Sequence, residues 1–168
     1  MRKRLLVLTA VLCLAASLSG CADDGGTPTP GRSDRLPAVS LPSLTGGDAV
    51  DLGAFRGPAV VNLWAQWCGP CKRELPIYEQ FFGRHGDRVP VLGVDWQDTQ
   101  AGKARALAKK SGVTYPLVVD SEPAIRAEFL PRLVLVDAQG RIAFQEYVEI
   151  KSLGQLEGLV EKHLGVTL

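Results

Sequence analysis

The feature that most constrains the fold is an apolar segment that leads directly into two closely spaced cysteines. Residues 58–65 are almost entirely apolar, which is typical of a strand buried on both faces of a sheet. Cys68 and Cys71 follow, and Gly69 and Pro70 between them mark the start of a helix that we expect to extend to about Gly83. The segment therefore predicts a strand, a short loop and a helix, with both cysteines at the helix N-terminus.

The rest of the chain alternates predicted strands and helices. A β-hairpin is expected over residues 39–52, closed by a glycine turn. Further strands are predicted at residues 89–95, 117–120, 133–137 and 141–148. Helical segments are predicted at residues 99–111 and 152–164, with a helical turn beginning at Pro123. Right-handed crossovers then predict an α/β fold, in which a mixed central sheet is flanked by helices on both faces and extended by the N-terminal β-hairpin.

The spacing of Cys68 and Cys71 suits a disulfide that opens and closes. One helical turn separates them, which allows the Cα separation of about 4.4–6.8 Å that a disulfide needs. Backbone N–H groups at the helix N-terminus stabilise a thiolate, so Cys68 is the predicted nucleophile. Cys71, turned towards the core, is the predicted resolving thiol. The pair predicts thiol-disulfide exchange.

A structural disulfide and a zinc site are the alternatives for this pair. A disulfide that closes so short a loop constrains the unfolded chain little. Zinc needs about four ligands, and His85 and His163 are the only histidines. We therefore expect no metal, and no cofactor besides the redox-active disulfide.

The N-terminus carries a predicted targeting signal. Arg2, Lys3 and Arg4 precede an apolar run over residues 5–18, which is short for a membrane span and typical of a signal peptide. Without those cations, 16 basic residues face 18 acidic ones, so the charge does not indicate nucleic-acid binding.

Cys21 follows this apolar run in a Leu-Ser-Gly-Cys sequence that resembles the lipobox of bacterial lipoproteins. The match predicts lipidation of Cys21, with an ordinary secreted protein as the alternative. We expect a lipoprotein signal peptide over residues 1–20, a flexible tether over 21–36, rich in Gly, Pro and Thr, and a folded domain over 37–168.

Residues 61–76 resemble the active-site segment of the extracytoplasmic thioredoxin-like proteins called TlpA, ResA and DsbE. The resemblance rests on Asn62 in the strand, on the Trp67 to Cys71 motif, and on Glu74 and Pro76 after it. It extends over about residues 36–168 and implies a thioredoxin fold with thiol-disulfide oxidoreductase activity. The predicted substrate groove consists of Trp67, Gly69, Pro70, Leu130 and Arg132.

Pro131 stands where the family has a cis-proline whose backbone meets the substrate opposite the cysteines. An ordinary trans proline at a strand start is the alternative. The family usually has threonine next, whereas this chain has Arg132, and the preceding segment 127–130 is short and lacks the customary valine and glycine. An arginine beside the thiols would favour the thiolate of Cys68.

Asp98 and Glu74 are the candidate proton acceptors for Cys71, because Asn62 cannot take a proton. In the family a carboxylate occupies the loop position that Asp98 matches, although Asp98 could equally be the N-cap of the next helix. For Glu74 we favour a solvated acid in the first turns of the helix, which would complement the helix dipole.

The resemblance implies a lipid-anchored enzyme on the extracytoplasmic face of a bacterial membrane, or in a periplasm. Its partners would be protein thiol or disulfide clients and a membrane thiol-transfer protein that recharges the site, and we expect a monomer. Relatives reduce the haem-binding cysteines of apocytochrome c. An oxidase that introduces disulfides into secreted proteins is the alternative, and a copper or haem delivery module is a minor one.

Overall fold

The computed structural model describes residues 34–168. Its strands are β1 (Ser40–Leu41), β2 (Val50–Asp51), β3 (Ala59–Trp64), β4 (Val91–Trp96), β5 (Leu117–Asp120), β6 (Arg132–Val136) and β7 (Ile142–Glu146). Its helices are α1 (Gly69–His85), α2 (Ala101–Lys110) and α3 (Leu153–Leu164). Each predicted strand and each of the three long predicted helices is present, with ends shifted by a few residues.

The strands form a mixed sheet of five, in the order β5-β4-β3-β6-β7, and β1 pairs with β2 as the predicted antiparallel hairpin. Strands β3, β4 and β5 are parallel to one another, while β6 is antiparallel to both β3 and β7. The central strands β3 and β4 are buried along their whole length, as their continuous apolar sequences predict. The carboxyl end of β3 leads to the cysteines, so the central strand of the sheet positions the site.

The helices all pack on one face of the sheet, and the expectation of helices on both faces is wrong. Alternate residues of β3 divide between two hydrophobic clusters: Val60 and Trp64 belong to the first, and Val61 and Leu63 to the second. The buried apolar residues of α1, α2 and α3 all belong to the first cluster. The second is closed instead by the N-terminal hairpin and by apolar side chains from residues 125–130.

The predicted helical turn at Pro123 is also wrong, because residues 121–131 form bends without helix. The carboxylate of Asp120 accepts the backbone N–H groups of Ala124 at 2.8 Å and Ile125 at 2.9 Å. The Ile125 carbonyl in turn accepts the indole N–H of Trp96 at 2.7 Å. Side chains thus satisfy backbone groups that a helix would have paired internally, which allows this segment to remain irregular.

The described part of the chain begins within the segment predicted to be a tether. Arg35 forms a bridge with Arg141, and Leu36 is buried, so contacts with the sheet begin before residue 37. The predicted signal peptide and Cys21 lie outside the described residues. Residues 34–168 contain no helix with the length and apolar character needed to cross a membrane.

Candidate active site

Cys68 and Cys71 form a disulfide at the N-terminus of α1. Their Cα atoms are 5.3 Å apart, within the range that a relaxed disulfide spans. Cys68 is the N-cap of α1, and its sulfur accepts the backbone N–H of Cys71 at 3.2 Å. Cys68 is 5% exposed and Cys71 is fully buried. After reduction, the same N–H and the positive end of the helix dipole would stabilise negative charge on the Cys68 sulfur.

The surface around the disulfide is open on the side of Trp67. This indole is 50% exposed, although it directly precedes Cys68. Gly69 and Pro70 form the first turn of α1, and the position of a Cβ on Gly69 would meet no atom within 4 Å. A partner can therefore approach the neighbourhood of Cys68 along this side, whereas Cys71 is fully buried.

Pro131 is buried immediately before β6, and its peptide bond with Leu130 is cis, as predicted. The register of β3 and β6 pairs Leu63 with Arg132, which places Pro131 beside the end of β3. Leu130 packs against both hydrophobic clusters. The segment that carries Pro131 therefore lies at the same end of the sheet as Cys68.

The side chain of Arg132 is directed away from the face that carries the cysteines. Strand alternation places Arg132 with Val134, on the face opposite α1. Its guanidinium donates to the backbone carbonyl of Arg126 and to the side-chain oxygen of Gln145, and it lies 5.4 Å from the ring centroid of Tyr147. The expected position of this arginine beside the thiols is therefore wrong.

Glu74 is fully buried one turn after Cys71, so the interpretation of a solvated acid is wrong. Its Oε2 accepts the backbone N–H of Ile150 at 2.8 Å, and its Oε1 has no hydrogen-bond partner among the described residues. Burial raises the pKa of Glu74 to about 8, against the lowering effect of the Ile150 hydrogen bond. Burial therefore favours the protonated form of this carboxyl in the disulfide state.

Asp98 is buried as well, and both its oxygens accept backbone N–H groups. Oδ2 accepts from Gln66 at 3.1 Å, and Oδ1 accepts from Gln100 at 2.7 Å. The N-cap of α2 is Gln100, so the alternative role of Asp98 as that N-cap is wrong, although it does satisfy a backbone group at the start of the helix. The hydrogen bond from Gln66 to Asp98 connects the loop that leads to Cys68 with the segment between β4 and α2.

Asp95 is a buried acid beside this site that the sequence reasoning missed. It lies in β4, paired with Trp64 of β3, and it is fully buried. Burial, followed by the negative charge of Asp98, raises the pKa of Asp95 to about 8, and neither oxygen of Asp95 has a hydrogen-bond partner among the described residues. An aspartate within a continuous apolar strand was the available signal, since an unpaired carboxylate is costly to bury.

Tyr78 and Tyr115 complete the buried polar surroundings of Glu74. Burial raises the pKa of Tyr78, and the charges of Glu74 and Tyr115 raise it further. Burial likewise raises the pKa of Tyr115, and the negative charge of Glu74 raises it further. These hydroxyls were not predicted, because their positions in the sequence read as ordinary core aromatic residues.

No group of three or more His, Cys, Asp and Glu side chains in residues 34–168 is placed to hold a metal ion. The reactive groups that the structure brings together are the two sulfurs, with Glu74 on the same helix and Asp98 behind the approach to Cys68. Such an arrangement can exchange a disulfide with a second molecule and move one proton at the buried sulfur.

Comparison with known proteins identifies a family and several thiol-disulfide oxidoreductases similar to this chain. A family model described as the AhpC/TSA family matches residues 33–145. The chain is 26% identical over 118 residues to the sporulation thiol-disulfide oxidoreductase A of Bacillus subtilis. This alignment covers 66% of this chain and 72% of that protein. It is 24% identical over 122 residues to the thiol-disulfide oxidoreductase ResA of Bacillus thuringiensis, which covers 69% of each.

Among solved structures, the chain is similar to a secreted Mycobacterium tuberculosis disulfide oxidoreductase that is homologous to E. coli DsbE. The two superpose with a TM-score of 0.62 at 20% identity, over 74% of this chain and 96% of that one. At this identity the likeness shows the fold alone, and it confirms the predicted thioredoxin fold. The curated relatives confirm the predicted resemblance to the ResA group.

Proposed function

This chain belongs to the AhpC/TSA family and is a thiol-disulfide oxidoreductase of the thioredoxin fold, and from that premise we propose that it reduces disulfides of client proteins outside the cytoplasm. The observation that carries the proposal is the Cys68–Cys71 disulfide at the start of α1, in which Cys68 is 5% exposed and Cys71 is fully buried. Because the two sulfurs differ in exposure, we assign attack on the client to Cys68 and closure of the disulfide to Cys71.

The reduced enzyme attacks first through Cys68. Its thiolate forms a bond to one sulfur of the client disulfide, the client S–S bond breaks, and the other client sulfur leaves as a thiolate. Cys71 then transfers its proton to a base and attacks the Cys68 sulfur. This second step closes Cys68–Cys71, releases the second client sulfur as a thiolate, and moves two electrons from enzyme to client. Both client thiolates then take protons from the solvent.

Glu74 is the base that the structure favours for the second step. It is buried one turn beyond Cys71, and its Oε1 is not occupied by a hydrogen bond from the described residues. Asp98, the other candidate, already accepts two backbone N–H groups. When the enzyme is recharged, the protonated Glu74 of the disulfide form can return the proton to Cys71 as that sulfur leaves.

The direction of electron flow depends on the reduction potential of the cysteine pair. We expect a potential near that of thioredoxin, which is about −270 mV, as measured by equilibration of the pair with dithiothreitol. A value near that of the strong oxidant DsbA, about −120 mV, would contradict the reductase and support an oxidase.

The client class follows from the resemblance to the ResA and DsbE group, which implies action on the haem-binding cysteines of apocytochrome c. The test is reduction of an oxidised peptide that contains Cys-x-x-Cys-His, with a peptide lacking the histidine as the control. Preference for the first peptide is expected, and equal rates would contradict a role in cytochrome c maturation. The electrons would come from a membrane thiol-transfer protein.

We further propose that a lipid on Cys21 anchors the enzyme, after removal of the signal peptide, and that residues 21–33 tether the domain to the membrane. The support is the Leu-Ser-Gly-Cys sequence after a cationic and apolar N-terminus. Fractionation of cells that express the full chain tests it. Wild type should sediment with membranes and Cys21→Ala should not, whereas an unchanged distribution would contradict lipid anchoring.

A further inference from the structure

The irregular segment before Pro131 borders the place where a client must bind. Leu63 of β3 pairs with Arg132 of β6, so the start of β6 and the loop that leads from β3 to Cys68 lie side by side. A client sulfur must come within bonding distance of Cys68. The residues that flank this sulfur in a polypeptide then pass over neighbouring surface, which includes residues 126–131.

Tyr147 holds this segment by two contacts, and a third contact joins Tyr147 to Arg132. Its hydroxyl accepts the backbone N–H of Glu128 at 2.9 Å, and its ring lies against that of Phe129 with 4.0 Å between centroids. The guanidinium of Arg132 lies 5.4 Å from the ring centroid, which is within the range of a cation–π contact.

Arg132 adds a second attachment, to the beginning of the segment. Its guanidinium donates to the carbonyl of Arg126 and to the side chain of Gln145 on β7. Together, Arg132 and Tyr147 link residues 126, 128 and 129 to strands β6 and β7, and we call this pair the Arg132–Tyr147 clamp. No regular structure supports residues 121–131, so these contacts take the place of helical hydrogen bonds.

The clamped segment forms one side of a surface groove of about 440 Å³. The groove is lined by Trp96, Gln97, Pro123, Ile125, Arg126, Ala127 and Glu128. Gln97 has a φ of 52°, a left-handed conformation that is uncommon for residues other than glycine. Such strain persists only where the surroundings impose it, and it is concentrated at functional sites.

Two exposed aromatic side chains lie close in sequence to Cys68 and to Pro131. Among residues 34–168, Trp67 and Phe129 are the large hydrophobic residues that are exposed, at 50% and 54%. Trp67 precedes Cys68, and Phe129 stands two residues before Pro131. Exposed apolar surface near a reactive group is typical of a site that contacts another molecule.

We propose that Arg132 and Tyr147 are positioning residues that hold residues 126–131 as a binding surface for an extended polypeptide client. The inference rests on the proposed function and extends it to specificity. A small disulfide needs only the sulfur of Cys68, while a polypeptide also contacts the clamped segment. Loss of the clamp therefore weakens binding of a protein client and leaves the exchange reaction with a small disulfide intact.

The test compares two substrates, insulin as the protein disulfide and 5,5′-dithiobis(2-nitrobenzoate) as the small one. Arg132→Thr and Tyr147→Leu should each raise KM for insulin by about tenfold, while the rate with the small disulfide stays at the wild-type value. Tyr147→Phe keeps the ring and loses one hydrogen-bond acceptor, so we expect a rise of about threefold. Arg84→Thr is the control, because Arg84 is an exposed arginine in the last turn of α1.

The outcomes separate this inference from the proposed function. An unchanged KM for insulin in Tyr147→Phe and in the other folded variants would overturn the clamp, as would equal losses on both substrates. Thermal unfolding identifies a variant that fails to fold. In that case the KM for insulin of Tyr147→Phe, the mildest change, decides whether the clamp contributes to client binding. A wild-type enzyme that reduces neither substrate would overturn the proposed function itself.

Discussion

Glu74 is the buried carboxyl that we propose as the proton acceptor for Cys71. It lies one turn beyond Cys71, and burial raises its pKa to about 8. The positions of Cys68 and Cys71 could be predicted because helix geometry within one turn is local. The burial of Glu74 could not, because the loop that covers it contributes Ile150, 76 residues further along the chain.

Glu74→Gln should slow the second step of exchange. Glutamine keeps an oxygen that can accept the Ile150 N–H but cannot take the proton of Cys71 at neutral pH. We expect the closure of Cys68–Cys71 to slow by about 100-fold, the lower end of the range for general base catalysis. Stopped-flow measurement of client thiol release checks this rate, with attack by Cys68 unchanged.

Asp98→Asn is the matched comparison for that experiment, since Asp98 is the other candidate base. We expect a smaller effect on closure than in Glu74→Gln, because both Asp98 oxygens are engaged by backbone N–H groups. If Asp98→Asn slowed closure more than Glu74→Gln did, the assignment of Glu74 would be wrong.

At the scale of elements, α3 shows how local sequence signals define a helix. Ser152 is the N-cap, and its hydroxyl accepts the N–H of Gln155 at 3.2 Å. Gly165 ends the helix with a φ of 65°, a left-handed conformation that suits glycine. These signals are short-range, and the helix lies within one residue of the segment 152–164 that the sequence predicted. The predicted helical turn at Pro123 failed because its backbone groups are satisfied from Asp120 and Trp96, in other elements.

Two substitutions in α3 should change stability in opposite directions. Ser152→Ala removes the cap and should lower the free energy of unfolding by about 1 kcal/mol. Gly158→Ala should raise it by about 0.5–1 kcal/mol, because Gly158 lies inside the helix and a Cβ there meets no atom within 4 Å. Urea denaturation measures both, and a change of the same sign in both variants would contradict this account of α3.

For the whole molecule, the mixture of parallel and antiparallel strands was predictable and the distribution of helices was not. Buried strands, short turns and right-handed crossovers restrict the topology to few choices. Which face each helix covers depends on packing between segments that are distant in sequence. Here the N-terminal hairpin and residues 125–130 close the second face, so no helix is needed there among the described residues.

Stability of the disulfide form should fall as the pH rises from about 4.5 to 8. Burial raises the pKa of Glu74 and of Asp95 to about 8, from ordinary values of 4.5 and 3.8. Between those values the folded protein keeps protons that the unfolded chain has released. The free energy of unfolding therefore decreases with pH, by at most about 1.4 kcal/mol per pH unit for each group.

Urea denaturation at pH 5 and pH 8 measures this dependence. Glu74→Gln and Asp95→Asn should each show a smaller decrease than wild type, and the double variant the smallest. Equal decreases in wild type and in the double variant would show that other groups are responsible.

If Cys68 attacks a client and Cys71 resolves the mixed disulfide, removal of Cys71 should trap that intermediate. Cys71→Ala, in which the reduced Cys68 remains, should form a stable mixed disulfide with insulin, detected by mass spectrometry as an adduct on Cys68 that dithiothreitol releases. Cys68→Ala is the matched control and should form none, because Cys71 is fully buried. An adduct on Cys71 in Cys68→Ala, or no adduct on Cys68 in Cys71→Ala, would contradict the account.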